Sequence, residues 1–593
     1  MIKARVLAVI GARLNSSRLP KKHLLTLAGQ PMIARICQRI ERINEIDHVT
    51  IATTADDYNQ PLVDWGAEAG KHVFAFQGDV NDLVGRVNAV VEQFNPDVVV
   101  YCCGDSPLIE PVTVSHLITA LMSSPDADTV KLGVAADTRA YIHEGFSVYK
   151  RSVWDRIVTA STTPPEKEHV GIALKRFSHQ LTMVDVPEDA IYATLQHRIS
   201  VDTVSDYRFM QEIYRRWYFN HSQDSIVSLK WVIESLQKDS ELRSLNAHVQ
   251  QKTIEEKYKR ILVVTQVGKT VGLGHLKRSI ILAQALQEIA KANVALWIYG
   301  EQYDSYDLSL IPHEFCPASH EFDVAVCRKV DRFRPQTVIF DIETTADNDK
   351  ITHVLQRLRK EQVNLVGIDG LVNWVDQLDL VYVPSFYLSA DYDRPQYQSK
   401  LVYGWDAYLL RKPPQQPRWT VGTNVIVLTG GSDTANLACY LPQQLDEHLP
   451  GDAKIHWIKG PFANSPEIPV NTGLHWTIYD APDDIYPIAS QMNYALSVYG
   501  VSFFEMLQLG LPSVVFNPYK NTTSREMDAL RKENVAMVAE NSLQAVHDLA
   551  GLMENHVLAN RLALKGNGLL TGAGIAEFAQ RVVRLSFSLP PLE

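Results

Sequence analysis

The chain has few cysteines, and their spacing does not suggest a metal site. Six cysteines in 593 residues show no Cys-x-x-Cys spacing and no histidine at metal-ligand spacing. We expect reduced thiols in the core or at the surface. Among them, the adjacent pair Cys102 and Cys103 is the one candidate for a catalytic thiol, and its place at a strand end favours packing instead.

The chain also lacks a basic excess and a long apolar run. Its 57 Lys and Arg against 68 Asp and Glu give a formal charge of -11, which argues against generic binding to nucleic acid or to an acidic membrane surface. The opening MIKARVLAVIGARL predicts a first strand and neither a signal peptide nor an integral membrane segment. We therefore expect a cytoplasmic protein, and the sequence leaves a homo-oligomer open.

What is present is the composition of a globular protein, with 46% hydrophobic and 21% charged residues. The length suggests roughly three or four lobes. Up to about residue 215, apolar runs such as VLAVI, HVTIATT, DVVVYCC and HRISVD alternate with helical stretches, which predicts a parallel sheet wrapped by helices. Residues 216–258 are helical and charged, and we interpret them as an extension of this first domain plus a linker.

A second α/β alternation starts at RILVVTQV, residues 260–267. The proline-rich stretch LLRKPPQQPRWTVGTN interrupts it before a fresh strand and glycine turn, VIVLTGGSD. We therefore predict two Rossmann-like lobes, residues 259–412 and 413–593, that face each other across a cleft. The predicted fold class is α/β, with a Rossmann-like nucleotidyltransferase domain over residues 1–215 followed by this two-lobed module.

The first candidate site combines a basic loop with two distant aspartates. VIGARLNSSRLPKKHL carries Arg13, Arg18, Lys21 and Lys22, which suit a phosphate-rich ligand, although a solvated basic loop explains them equally well. Asp105 in CCGDSPLI and Asp202 in HRISVDTV each follow an apolar run predicted to be a strand. Carboxylates at the carboxyl ends of parallel strands enter the ligand crevice, where a pair can hold Mg²⁺.

ARLNSSRLPKKHLLTLAGQPMI, CCGDSPLI and RISVDT, together with FQGDVNDLVGR and EHVGIALKRF, resemble the spore coat polysaccharide cytidylyltransferase-like family, which is related to CMP-KDO and CMP-sialate synthetases. The resemblance covers residues 1 to about 250. It implies CTP and a sugar or acid sugar as partners, Mg²⁺ as cofactor, and attack of a sugar hydroxyl on the α-phosphate. It also implies site residues: Arg13 and Lys22 as catalytic contacts to the triphosphate; Ser17, Arg18, Asp82 and Arg86 as further nucleotide contacts; Asp105 and Asp202 as metal ligands.

Two positions depart from that family's pattern. Lys21 stands where the family commonly has Gly, and Gly11 stands where many members carry Gln or Pro. The choice of base or sugar therefore stays open.

The second candidate site begins at GKTVGLGHLKRS. Gly272 and Gly274 place backbone N–H groups at a predicted helix N-terminus, which favours an anion. His275 falls in the first turn, where a histidine can accept a proton or can simply cap the helix N-terminus without taking part in chemistry. In the far lobe, VLTGGSDTANL repeats the strand, glycine turn and helix start with Gly430 and Gly431.

YGVSFFEMLQ places Ser502 and Glu505 at another predicted helix N-terminus. A carboxylate there can bind the two ribose hydroxyls, while backbone N–H groups take the diphosphate.

GLGHLKRSIILAQAL, VIFDI, GID, YLLR and GGSDTANL resemble the UDP-sugar hydrolases of pseudaminic acid biosynthesis, which have the two-lobed GT-B fold, and more distantly the glycosyltransferases that make lipid II. The resemblance implies that His275 activates water and that UDP is the leaving group. It also implies that UDP is held by the C-terminal lobe around Gly430, Gly431, Ser502 and Glu505. The hydrolases commonly carry Asp-x-Tyr where this chain has Asp341, Ile342 and Glu343. Asp341 is equally consistent with a structural cap.

The leading hypothesis is a bifunctional nucleotide-sugar enzyme for nonulosonic acid or related surface glycan synthesis, a CTP-dependent cytidylyltransferase joined to a UDP-sugar hydrolase. One alternative makes the second half a GT-B glycosyltransferase, because one fold serves both chemistries. Another makes it a catalytically silent UDP-sugar-binding module. No nucleic-acid partner is expected.

Overall fold

The computed structural model describes residues 4–135, 140–249, 259–268, 271–344, 348–411, 419–519 and 524–585. The chain divides into two units, Met1–Glu256 and Lys257–Glu593. The predicted domain limit at residue 215 falls inside a helix of the first unit, and the predicted limits at 258 and 412 lie outside the described residues. No helix within the described ranges is long and apolar enough to cross a membrane.

The first unit is built on a mixed sheet, with a small hairpin beside it. Its strands are β1 Val6–Gly11, β2 Thr26–Leu27, β3 Gln30–Pro31, β4 His48–Thr54, β5 Val73–Phe76, β6 Val98–Cys103, β7 Thr129–Leu132, β8 Phe146–Lys150 and β9 Met183–Val186. Its helices are α1 Met32–Ile40, α2 Gln60–Glu68, α3 Leu83–Phe94, α4 Pro111–Ser123, α5 Arg151–Ala160, α6 Pro164–Glu168, α7 Val204–Asn220, α8 Leu229–Lys238 and α9 Ser240–Ser244.

The strand order β5-β4-β1-β6-β8-β7-β9 puts the crevice of the first unit at β1 and β6. The chain winds outward from β1 in opposite directions, so the loops after β1 and β6 separate and leave a ligand site at their carboxyl ends. β8 is antiparallel to β6 and β7, and the remaining pairs of this sheet are parallel. Residues on β1 are buried on both faces, as expected for a central parallel strand.

One predicted strand of this unit is wrong. The run HRISVD, residues 197–202, forms no strand and crosses the carboxyl edge of the sheet as a loop. In this loop Val201 N donates a hydrogen bond to Asp105 O at 2.8 Å. Thr203 then caps α7 through a capping box with Asp206. Arg198 pairs with both Asp202 and Asp206. An extended strand would prevent the first of these pairs, because residues four apart are separated by about 13 Å along a strand.

The second unit contains two lobes, each with a fully parallel sheet. The strands of the first lobe are β10 Arg260–Val267, β11 Asn293–Gly300, β12 His313–Cys316, β13 Thr337–Asp341, β14 Asn364–Ile368, β15 Leu380–Tyr382 and β16 Leu401–Val402. Its helices are α10 Gly274–Glu288, α11 Tyr306–Ser309, α12 Phe322–Phe333 and α13 Asn348–Lys360. The strand order is β12-β11-β10-β13-β14-β15-β16.

The second lobe repeats this plan with the order β19-β18-β17-β20-β21-β22. Its strands are β17 Asn424–Leu428, β18 Lys454–Lys459, β19 His475–Asp480, β20 Tyr494–Val498, β21 Ser513–Phe516 and β22 Met537–Ala539. The remaining helices are α14 Leu441–His448, α15 Tyr486–Ala489, α16 Val501–Gln508, α17 Ser524–Glu533, α18 Ser542–Glu554, α19 His556–Leu569 and α20 Gly574–Leu585. Both orders are of the Rossmann type, so the predicted fold class is confirmed.

The last helix returns to the first lobe. The rings of Phe578 on α20 and Tyr382 on β15 lie 5.2 Å apart, edge to face. The Tyr382 hydroxyl donates to Gly574 O at 3.3 Å, and Lys259 Nζ donates to Val583 O at 3.1 Å. α10 packs against α20, which helps bury more of α10 than the single apolar stripe seen in its sequence.

Candidate active sites

Lys22 lies at the centre of the crevice in the first unit. Its Nζ donates to Asp105 Oδ2 at 3.2 Å, to Asp202 Oδ1 at 2.9 Å and to Val201 O at 2.9 Å. The turn that aims this side chain begins at Lys21, whose φ of 52° is left-handed. Glycine adopts that conformation most readily, so the Gly expected here from the resemblance would fit this turn without strain.

The charges around Asp202 compensate one another. Arg18 contacts Asp202 Oδ2 at 3.1 Å, Arg198 pairs with the same oxygen, and Arg198 Nε donates to Asp206 at 3.1 Å. Burial by itself would raise the pKa of Asp202, but Lys22, Arg18 and Arg198 hold that pKa well below its usual value. Burial opposes the charge on Lys22, yet the two aspartates raise its pKa. Asp202 and Lys22 therefore both stay ionised at neutral pH.

The two predicted metal ligands, Asp105 and Asp202, both accept a hydrogen bond from the ammonium group of Lys22. No group of three or more His, Cys, Asp and Glu in the described part of the chain is arranged to hold a metal. Their carboxylate oxygens are the donors that Mg²⁺ prefers, and phosphate oxygens of a nucleotide would have to complete the shell. The chemistry of this pair fits Mg²⁺ on that condition.

Arg13 and Arg86 form the outer part of this site. Arg13 Nη1 donates to Val80 O at 3.0 Å and to Asn81 Oδ1 at 2.9 Å, and its Nη2 contacts Glu168 at 3.1 Å. Arg86 is 3% exposed, and its Nε and Nη1 have no hydrogen-bond partner among the residues described. Burial, followed by the charge of Arg13, lowers the pKa of Arg86 to about 10. A buried cation without partners is expected where an anion binds.

Two other predicted nucleotide contacts have different settings. Asp82 caps α3 by accepting a hydrogen bond from Gly85 N at 2.7 Å, so a structural role accounts for it. Ser17 is exposed on the loop, whereas the hydroxyl of Ser16 accepts from the backbone of Arg18 and Leu19 at 3.4 and 3.3 Å.

Sequence reasoning missed Arg198 and His23 in this site. Arg198 lies four residues before Asp202 within the motif already recognised, and that spacing was the available signal. His23 is buried beside Lys22; burial comes first and the charge of Lys22 second in driving its pKa well below the usual value. Its Nδ1 has no partner in the described chain. Nothing in the sequence distinguishes this histidine from a core residue.

In the second unit, His275 is held by a buried carboxylate. Its Nδ1 lies 2.6 Å from Oδ1 of Asp341, which is fully buried at the end of β13. Arg278 donates to both oxygens of Asp341, from Nε at 2.8 Å and from Nη2 at 2.6 Å, and Ser279 contributes a bond of 3.3 Å. β10 and β13 are neighbours at the switch point of this sheet, so the helix after β10 and the end of β13 meet there.

The ionisation of Asp341 determines which nitrogen of His275 carries a proton. Burial would raise the pKa of Asp341, but Arg278 and His275 hold it far below the usual value. An ionised carboxylate accepts a hydrogen bond from Nδ1–H, which leaves the Nε2 lone pair of the imidazole available as a base. Asp341 thus orients His275, and side chains of α10 engage both of its oxygens.

The glycine turns of the two lobes approach each other. Gly272 and Gly430 have φ of 76° and 88°, and a Cβ on Gly272 would lie 3.6 Å from Ser432 Oγ. A Cβ on Gly431 would lie 3.5 Å from Leu273 N. The two turns therefore border the cleft, where backbone N–H groups and the start of α10 favour an anion.

The helix start predicted after the second glycine turn is wrong. Asp433 accepts from Leu437 N and Ala438 N at 2.9 and 2.8 Å, which stabilises a short turn. The α-helix begins only at Leu441, because left-handed residues Asp433 and Asn436 interrupt a regular helix. By contrast, Gly500 does precede α16, and Ser502 lies in its first turn.

Glu505 on α16 is half-buried and has no hydrogen-bond or ion-pair partner within the described residues. Burial raises its pKa to about 7, against the opposing charges of Lys277 and Arg411. A carboxylate of this kind gains its missing hydrogen bonds when a diol binds. The role of Glu505 as a ribose contact stays a prediction.

Comparison with known proteins separates the two units. Residues 7–254 match the family model described as Cytidylyltransferase. An uncharacterised protein of Methanocaldococcus jannaschii is 22% identical over 256 residues, which cover 42% of this chain and 98% of that protein. The 3-deoxy-manno-octulosonate cytidylyltransferase of Anaeromyxobacter sp. is 35% identical over 128 residues, or 21% of this chain and 50% of the relative. The first unit is cytidylyltransferase-like.

The chain spans about half the length of the curated cytidylyltransferases that it matches. Among solved structures, UDP-GlcNAc 2-epimerase from Neisseria meningitidis bound to UDP-GlcNAc has a TM-score of 0.39 at 12% identity, covering 55% of this chain and all of that one. The glycotransferase of kitacinnamycin has a TM-score of 0.43 at 12% identity, covering 56% and 99%.

Proposed function

We propose that the first unit transfers a cytidylyl group from CTP to an acid sugar with Mg²⁺. The observation that carries this proposal is the placement of Lys22 between Asp105 and Asp202, with Arg18 beside them. A sugar hydroxyl oxygen attacks the α-phosphorus and releases its proton to solvent, and the bond from that phosphorus to pyrophosphate breaks. The cations of the loop stabilise the negative charge on departing pyrophosphate.

Mg²⁺, held by Asp105 and Asp202, would neutralise part of the triphosphate charge. The chain's own residues do the rest: Arg86, buried with two unpartnered nitrogens, binds phosphate oxygens, and Arg13 does so once it leaves Glu168.

For the second unit we propose hydrolysis of a UDP-sugar, with His275 as the base. The carrying observation is the 2.6 Å contact of its Nδ1 with buried Asp341, which leaves Nε2 as an acceptor. Water attacks the anomeric carbon as Nε2 takes its proton, and the bond from that carbon to the diphosphate oxygen breaks. Glu505 receives the ribose hydroxyls, while N–H groups at the turns of Gly272 and Gly430 stabilise the diphosphate.

Phosphorus NMR of the full chain tests both proposals at once. CTP with a panel of acid sugars should give pyrophosphate and a sugar-linked CMP signal, and UDP-sugars without any acceptor should give free UDP. Appearance of UDP only after an acceptor sugar is added would assign the second unit to glycosyl transfer instead. Binding of UDP-sugar with no turnover under either condition would indicate a silent binding module.

A further inference from the structure

A cavity whose lining contains neither His275 nor Glu505 opens in the second lobe. Its volume is about 690 Å³, and it lies at the carboxyl edge of the sheet, beyond the ends of β17, β21 and β22. The lining residues are Thr434, Ala435, Tyr440, Phe516, Asn517, Pro518, Tyr519, Glu540, Asn541 and Ser542. A space of this size accommodates a small organic ligand.

Two tyrosines and a set of hydrogen-bonding groups dominate the wall. Tyr440 is 41% exposed and interacts with Ser542, and Tyr519 interacts with Thr434. The side-chain oxygen of Asn517 is engaged by Tyr519 N at 3.0 Å, and that of Asn541 by Gln544 N at 3.0 Å. No described residue accepts a hydrogen bond from the amide NH₂ group of either asparagine, so both groups are available as donors.

The charge of the wall argues for a neutral ligand. None of the ten lining residues, all of them described, is Lys, Arg or His. Glu540 is exposed, and its carboxylate has no partner among the described side chains. Buried Asp433 lies close enough to raise the pKa of both tyrosines, second to burial itself. A phosphate or carboxylate would meet repulsion here, whereas hydroxyl groups can donate to Glu540 and accept from the amides.

We infer that this cavity is a carbohydrate-binding subsite for a neutral sugar ring. An apolar ring face packs on a tyrosine while the ring hydroxyls bond to Glu540, Asn517 and Asn541. The cavity adjoins the glycine turn: a Cβ on Gly430 would lie 3.4 Å from the Tyr519 hydroxyl. It contains no residue of the His275 group, so the inference goes beyond the proposed hydrolysis and does not require it.

Saturation-transfer NMR on the full chain tests this subsite with defined probes. Glucose and N-acetylglucosamine are the neutral probes, and glucuronic acid is the matched charged probe. We expect transfer to ring protons of the neutral sugars and a much weaker signal for glucuronic acid. Glu540→Gln should bring the glucuronic acid signal toward that of glucose, since it removes the repelling charge.

Tyr440→Ala should weaken the binding of the neutral probes by about tenfold through loss of the ring contact. Tyr403→Ala is the matched control, because Tyr403 is also 41% exposed in the same unit and does not line the cavity. The inference is overturned if the neutral probes show no transfer, if both tyrosine variants behave alike, or if glucuronic acid binds as well as glucose and ignores Glu540→Gln.

The sugar comes either from the UDP-sugar or from a separate molecule. Competition separates these sources: UDP-sugar displaces the free probe where UDP does not if the subsite takes the sugar of the nucleotide, and both leave the probe bound if it takes a separate sugar. UDP release measured on the same samples reports the proposed hydrolysis independently. Probe binding without UDP release would leave the subsite standing while that function fails.

Discussion

In the first unit Lys22, Arg18 and Arg198 are all paired with Asp202, whereas in the second unit Glu505 and Nε2 of His275 have no partner among the described residues. The first site is stabilised internally before any ligand arrives, so a nucleotide must replace ion pairs that already exist. In the second site Glu505 and Nε2 of His275 can accept hydrogen bonds from a ligand, and the ion pairs of Asp341 orient His275. The same physical cost, burial of charge, is offset differently in the two places.

Replacement of His275 should give the largest effect and separate the two units cleanly. His275→Gln removes the proposed base, so UDP release should fall by about 10²–10⁴-fold, while pyrophosphate release from CTP stays unchanged. Both products are measured by phosphorus NMR. His320→Gln, an exposed histidine of the same lobe, is the control. Equal UDP release by the His275 variant and the control would remove His275 from the mechanism.

The reciprocal change belongs to the first unit. Asp105→Asn takes one carboxylate from the pair that shares Lys22, and nucleotidyl transfer should fall by about 10²–10³-fold because transition-state charge is less well stabilised. UDP release should not change. Asp126→Asn, at an exposed position of the same unit, serves for comparison. A drop in both activities would mean that the two sites are not independent.

Asp341 tests how strongly the buried pairs hold the second unit together. Asp341→Asn leaves Arg278 without its partner, and the free energy of unfolding should fall by about 3–5 kcal/mol at neutral pH. Because the folded state holds the pKa of Asp341 below its unfolded value, this contribution is complete above about pH 4 and is lost as the pH falls further. Denaturant unfolding at several pH values measures the difference.

The exposed pair of Asp331 with Arg357 is the matched control for that experiment. Asp331→Asn should cost no more than about 1 kcal/mol. The difference in the free energy of unfolding between wild type and Asp341→Asn should be large at pH 7 and shrink in acid. A small difference at pH 7, or one that widens in acid, would contradict the role of Asp341 as an ionised partner of Arg278.

Glu505 should make UDP binding depend on pH. With a pKa raised to about 7 by burial, Glu505 becomes ionised as the pH rises through 7, and the ionised form accepts ribose hydroxyl bonds more strongly. UDP affinity measured by calorimetry should therefore rise by about tenfold across that range. Glu505→Gln should flatten the profile, whereas Glu554→Gln, exposed at the end of α18, should not.

The smallest expected effect concerns Arg13 of the first site, which is paired with the partly exposed carboxylate of Glu168. Glu168→Gln releases Arg13 from a partly exposed pair worth about 0–1 kcal/mol, so CTP affinity should strengthen by no more than about fivefold. Glu92→Gln, which breaks an exposed pair with Arg151, is the control. Weaker CTP binding in the Glu168 variant would show that Glu168 helps the site.

The glycine turns and the stretch that provides His275 were predictable because they are local patterns: strand, small-residue turn, helix. The same is true of the basic loop around Lys22. Asp202 was found by its motif, but the strand predicted before it was wrong. The ion pairs of Arg198 with Asp202 and Asp206 determine the conformation of that segment. The helix start predicted at GGSDTANL was wrong for a similar reason, since the hydrogen bonds of Asp433 compete with helix formation.

The sequence by itself determined the α/β class, the two strand-rich halves and the residue types available for phosphate, metal and base chemistry, because periodicity and motif spacing act over a few neighbouring residues. The tertiary structure alone decided that Asp341 orients His275 and that two nitrogens of buried Arg86 have no partner among the described residues. It alone decided that α20 returns to the first lobe and that two tyrosines share a cavity with Glu540. These features join residues far apart in the chain, where burial and charge are set by packing that no local pattern encodes.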